Sequence, residues 1–151
     1  MNICIETQLA CASDEVPDED SMRHWVNAAM RDETATLALS VQIVDERESA
    51  ALNQQYRGKS GPTNILSFPF DAVTPEPLPI LGDLVICAPV VNREAIEQQK
   101  PTEAHWAHMC VHGVLHLLGY DHVGDHDAEV MEALETSILL DLGFSCPYAT
   151  K

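Results

Sequence analysis

The chain has 151 residues and a hydrophobic share of 46%, enough for one core without disulfide support. Twenty-four Asp and Glu against eight Lys and Arg give a formal charge of −16, which favours solubility and excludes capture of polyanions by charge alone. The five cysteines (Cys4, Cys11, Cys87, Cys110, Cys146) are odd in number and lack a C-x-x-C pair, so neither a disulfide framework nor a cysteine zinc site is indicated.

In chain order, the opening "MNICIETQLACASDE" lacks a positive n-region and is broken by Glu6 and Gln8, which argues against a signal peptide; "NICIETQ" within it reads as a first strand. "DEDSMRHWVNAAM" follows with Met22, Trp25, Val26, Ala29 and Met30 on one helical face. "TLALSVQIV" puts Leu37, Leu39, Val41 and Ile43 on one side of a half-buried strand. Asp45, with Glu48 three positions on, caps a helix that runs toward Tyr56 and stops at Gly58. "GPTNILSFPF" is a turn and then a strand, and "DAVTPEPLPI" a loop. "GDLVICA" is an apolar strand after which Pro89 opens a helix, and residues 101–118 are apolar nearly all round, the mark of a buried helix. A last amphipathic helix spans about residues 127–142, with Met131, Leu134, Ile138 and Leu142 inward and Gly143 as its stop. No regular βαβ alternation is present, so the expected class is α+β: one domain over residues 1–151, with a small mixed sheet packed against helices. No apolar run is long enough to cross a bilayer, and a cytoplasmic location with no membrane partner is expected.

Six of the seven histidines fall between residues 105 and 126. Within "HGVLHLLGYDH", His112 and His116 lie one helical turn apart on the same face, and Gly119 permits the turn that returns His122 toward the same point. His112, His116 and His122 are therefore the expected ligands of one metal ion, set on a buried helix and the turn after it. His108 also shares the helical face, but three ligands on a straight helix would span about 12 Å, too far for one ion. His24, His105, His108 and His126 are read as core or surface residues. Zinc (Zn2+) suits three imidazoles and leaves a fourth position for water, although other divalent transition metals also accept nitrogen ligands. Since histidine binds a metal only when neutral, metal and activity are expected to be lost together below about pH 6.

The ligand spacing is shared with metzincin proteases, whose pattern is H-E-x-x-H-x-x-G-x-x-H, but Gly113 stands where those enzymes carry the glutamate base. The same run, with "LNQQYRGKSGPTNILSFPF" at residues 52–70 and "GDLVICAPVV" at residues 82–91, closely resembles the YbeY family of endoribonucleases over residues 41–148. The resemblance implies a zincin-like fold, a metal held by His112, His116 and His122, and a hydrolase that matures ribosomal RNA, especially the 3′ end of the small-subunit RNA, and serves ribosome quality control. Single-stranded rRNA and the ribosome or its small-subunit proteins are the implied partners. Arg57 fits this chemistry, since a guanidinium fork matches the oxygens of a phosphodiester that gains charge under attack; Lys59 fits a solvated helix end equally well. Phe68 and Phe70 are candidates for stacking on unpaired bases, with core packing expected for at least one of them. Asp83, Asp121 and Asp125 lie in or near the motifs and are candidates to orient a histidine or move protons, and spacing alone singles out none of them as the general base. Two other functions fit the residues: an assembly factor whose metal is structural, and a metallopeptidase with its base elsewhere.

Overall fold

The computed structural model describes residues 17–30, 38–69, 80–118 and 124–144. The expected first strand, residues 71–79 of the proline-rich loop, Leu37, Phe70, Asp121 and the turn with Gly119 and His122 lie outside these residues; Ile80, expected as the end of that loop, instead opens a strand by pairing with Ala38. What is described is five helices and three strands: α1 (Glu19–Ala29), β1 (Ala38–Val44), α2 (Glu46–Arg57), β2 (Ile65–Pro69), β3 (Ile80–Cys87), α3 (Ala88–Glu97), α4 (Thr102–Leu117) and α5 (Asp125–Asp141). The class is α+β, as the sequence pattern requires.

The sheet is mixed and ordered β1-β3-β2, with β1 parallel and β2 antiparallel to the central β3. Strand alternation divides its side chains cleanly. Leu39, Val41, Ile43, Ile65, Leu84 and Ile86 join one large core with α1, α4 and α5. Val44, Leu66, Val85 and Cys87 form a smaller cluster on the opposite face, with Leu52 of α2 and Phe68 packed against it. Pro69 ends β2, a strand with a single partner in the described sheet, where a missing N–H costs no ladder bond.

The helix boundaries follow from local chemistry. Asp45 accepts a 2.8 Å bond from the Glu48 N–H at the start of α2, and Gly58 closes that helix in the left-handed region at φ 66°. Pro89 lies in the first turn of α3. The inward face of α1 is as expected, with Met22, Trp25, Val26, Ala29 and Met30 all buried. Helix α5 begins two residues before its sequence-derived start; Met131, Ile138 and Leu139 are buried, while Leu134 and Leu142 pack at the margin.

Helix α4 is the centre of the molecule and touches α1, α3, α5, β2 and β3. Its seating on the sheet depends on Gly113. A Cβ there would stand 2.6 Å from Ile65 Cδ1 and 2.8 Å from Leu84 Cδ2, distances real contacts do not reach. The Gly113 carbonyl in turn accepts a 3.3 Å bond from the Ser67 hydroxyl of β2. Gly113→Ala is expected to lower stability by about 1 kcal/mol net, because an overpacking cost of roughly 1–3 kcal/mol exceeds a helix-propensity gain of about 1 kcal/mol. Urea denaturation checks this: an unchanged or higher midpoint would show that α4 can lift off the sheet at no cost.

Candidate active site

A cleft of about 560 Å³ opens between the end of α2, strand β2 and the exposed face of α4. Tyr56 and Arg57 line it from α2, residues 63–68 from the loop and β2, and His112 and His116 from α4. Segments some fifty residues apart in sequence thus meet in one concavity, of a size usual for ligand sites.

The α2 wall is tied in place by buried polar side chains. Ser49 donates to the Thr63 carbonyl and accepts from the Thr63 N–H, both at 3.0 Å, and Asn53 donates to the Gly61 carbonyl at 2.9 Å. These bonds fold the glycine-containing loop back along the helix, so Arg57 stands at a fixed C-terminal end, where the helix dipole favours a cation. The Tyr56 ring lies edge-on to Phe68 at 5.0 Å and is 59% exposed, whereas Phe68 is half-buried. Of the two, Tyr56 offers a stacking surface; Phe68 takes the packing role expected for at least one of the phenylalanines.

On α4 the rings of His105, His108, His112 and His116 follow one another, and two carboxylates meet them from other helices. Glu94 of α3 lies 3.0 Å from His105 Nε2. Glu135 of α5, fully buried, lies 2.8 Å from His108 Nε2 through one oxygen and 2.7 Å from His112 Nδ1 through the other. His112 Nε2 is 3.1 Å from His116 Nε2 in the cleft. His24 and His126 are exposed, as core-or-surface readings allow.

Two groupings can therefore hold a cation. His108, His112 and Glu135 place three potential ligand atoms within 4.8 Å of one another. His112 and His116 converge on the cleft with a separation close to the roughly 3.3 Å between two ligands of a tetrahedral ion with bonds of about 2.0–2.1 Å. The imidazole donors fit a metal of the zinc type. Burial lowers the pKa of His108, against the raising effect of Glu135, which favours its neutral form. Buried Cys110, pushed up to about 12 by desolvation, and buried Cys87, raised by the same cause, are held as thiols.

Asp83, one of the carboxylates considered from sequence, is not with the histidines: it accepts a 2.6 Å bond from Ser40 across the β1–β3 pair. Glu135 and Tyr56 were missed. A weak signal existed for Glu135, an acidic residue one turn after the inward Met131, but acidic residues on a helix are ordinarily solvated. Gly113 also bears on the peptidase reading, since a side chain at this position runs into the sheet rather than the cleft, leaving no room for a glutamate base.

The fold and cleft define a small α+β domain whose histidine face is equipped to hold a metal ion beside an arginine. No helix among the described residues is long and apolar enough to cross a membrane. The chain belongs to the YbeY family: the family model described as endoribonuclease YbeY matches residues 6–143, and membership makes it a hydrolase of RNA associated with rRNA processing. The solution structure of TM1509 from Thermotoga maritima is similar throughout, covering 99% of this chain and 100% of its own at 23% identity with a TM-score of 0.58, and it supports the fold.

The Glu94 carboxyl is raised by burial, but hydrogen bonds from His105 and from Asn64, at 3.1 Å, more than offset this and hold it below its ordinary value of 4.5. A depressed carboxyl stabilises the fold above the unfolded pKa and ceases to do so as pH falls through the folded one. Glu94→Gln is thus expected to cost roughly 1 kcal/mol at pH 7, allowing for partial solvent screening, with the difference shrinking below pH 4.5. Denaturation of both proteins across pH 3–7 tests this about-1-kcal/mol effect; a pH-independent gap would place the cost in packing instead.

Proposed function

We propose that this protein is a metal-dependent, single-strand-specific endoribonuclease that matures the 3′ end of small-subunit ribosomal RNA in the cytoplasm and serves ribosome quality control. The observation that carries the reading is the meeting of Arg57, His112 and His116 on one cleft. His112, His116 and His122 are its metal ligands, with zinc the favoured ion. When bound, such an ion supplies Lewis acidity toward a phosphate oxygen and makes a water molecule more acidic.

The remaining steps belong to the chain's own residues. Arg57, beside the tied-back loop, binds the non-bridging oxygens of the scissile phosphodiester and offsets the charge that develops as an attacking oxygen, of water or of the adjacent 2′-hydroxyl, bonds to phosphorus and the P–O bond to the leaving ribose oxygen breaks. Tyr56 stacks on an unpaired base beside that phosphate, an interaction that a base held in a duplex does not offer. With a net charge of −16, affinity for naked RNA is weak, and selectivity comes from the ribosome or a small-subunit protein that presents the RNA end.

The test is cleavage of a single-stranded RNA resembling the small-subunit 3′ end by wild type and variants purified in parallel. His116→Ala should be inactive, and Arg57→Ala should lose about 10²-fold or more in kcat. Tyr56→Ala should raise KM roughly tenfold with kcat little changed. Equal cutting by all four proteins would assign the activity to a contaminant. No cutting by metal-loaded wild type, on RNA or on ribosomal subunits, would support a structural metal in a non-catalytic assembly factor.

A further inference from the structure

We propose that Glu135 is the positioning residue of the metal site, holding His112 with Nδ1 protonated and Nε2 turned to the cleft, while His108 anchors the carboxylate from its other side and is not a ligand. The proposal rests on the reading of His112 and His116 as ligands and assigns a role to a third element, α5.

The argument begins with protons. With Glu135 ionised, its oxygen 2.7 Å from His112 Nδ1 accepts the hydrogen carried by that nitrogen. Neutral imidazole has one such hydrogen. His112 Nε2 is then left with its lone pair, and it is this atom that stands 3.1 Å from His116 Nε2 in the cleft. The other Glu135 oxygen, 2.8 Å from His108 Nε2, is fixed by the same logic.

The distances also separate this arrangement from an ion seated among His108, His112 and Glu135. Contacts of 2.7 and 2.8 Å are charge-assisted hydrogen bonds in length. Two ligands of one tetrahedral ion stand farther apart, at about 3.3 Å. Energetics agree: a fully buried carboxylate is expensive to keep, and an apolar residue would pack α5 against α4 as well. A carboxylate behind a ligating imidazole raises its basicity and fixes its ring, and a cation on the far side of that ring returns the desolvation cost.

The experiment measures zinc affinity of the full chain by competition with a chromophoric chelator, for wild type, Glu135→Gln, His108→Gln and His116→Ala. Glutamine keeps the shape and, with its carbonyl oxygen toward His112 Nδ1–H, keeps that hydrogen bond; its NH2 can donate to His108 Nε2 only when that ring carries its proton on Nδ1, so the change removes the charge and one acceptor. Glu135→Gln should bind zinc about 10–100-fold more weakly, with a shifted cobalt(II) absorption spectrum and an apo-protein melting temperature close to wild type. His108→Gln should still bind one zinc. Nitrogen-15 spectra of metal-free wild type should show His112 protonated at Nδ1, a readout that needs no variant to fold. An Nε2-protonated His112, or Glu135→Gln binding zinc within twofold of wild type, overturns the proposal and leaves the ligand reading intact. Loss of zinc in His108→Gln as complete as in His116→Ala overturns it by placing the ion on the inner side. Wild type and His116→Ala binding zinc equally poorly removes the ligand reading and the proposal together.

Discussion

The site depends on how closely α4 approaches the sheet. Gly113 lets the helix backbone settle against Ile65 and Leu84, and Ser67 binds the carbonyl exposed there. At that separation His112 and His116, on the neighbouring face, border β2 and look into the same cleft as Arg57. A larger residue at this position would push the helix and its histidines away from the α2 wall. The absence of a protease-type glutamate beside His112 is thus a packing requirement as well as a chemical difference.

Electrostatics of the molecule are unusual for a protein that acts on RNA. Its few cations are placed individually. Arg93 is engaged with Glu46 at 2.8 Å and ties α3 to α2, away from the cleft. Arg57 stands at the cleft itself, at a helix end whose partial negative charge suits it, and is steadied by a loop that Ser49 and Asn53 fold back. One guanidinium contributes little to overall affinity, and its placement at the cleft matters more than its share of the net charge.

A partly buried carboxylate on α3 and a fully buried one on α5 grip successive histidines of α4. Glu94 binds His105 and Asn64, joining α3, α4 and the start of β2, so the helix that bears the histidines is anchored at its beginning. Glu135 does the same in the middle, at the ring that borders the cleft. The helix is therefore held by apolar packing on its sheet side and by carboxylate–imidazole contacts at two points on its histidine side.

Much of this was legible in the chain. Periodicity located α1, β1 and α5, apolar runs and turn or capping residues located the other described elements, Asp45 and Gly58 marked both ends of α2, and the histidine spacing and Arg57 named residues from two walls of the cleft. These are local properties, written in neighbouring residues, and backbone geometry converts them directly into faces and turns. The tertiary structure alone decided the partners: that Glu135 meets His112 across 23 positions, that Asp83 turns to Ser40 instead, and that Tyr56 is the exposed ring where Phe68 is packed. A carboxylate on a helix carries no sign of which imidazole it will face, because that depends on the docking of α5 on α4, the sum of many weak contacts spread through the core.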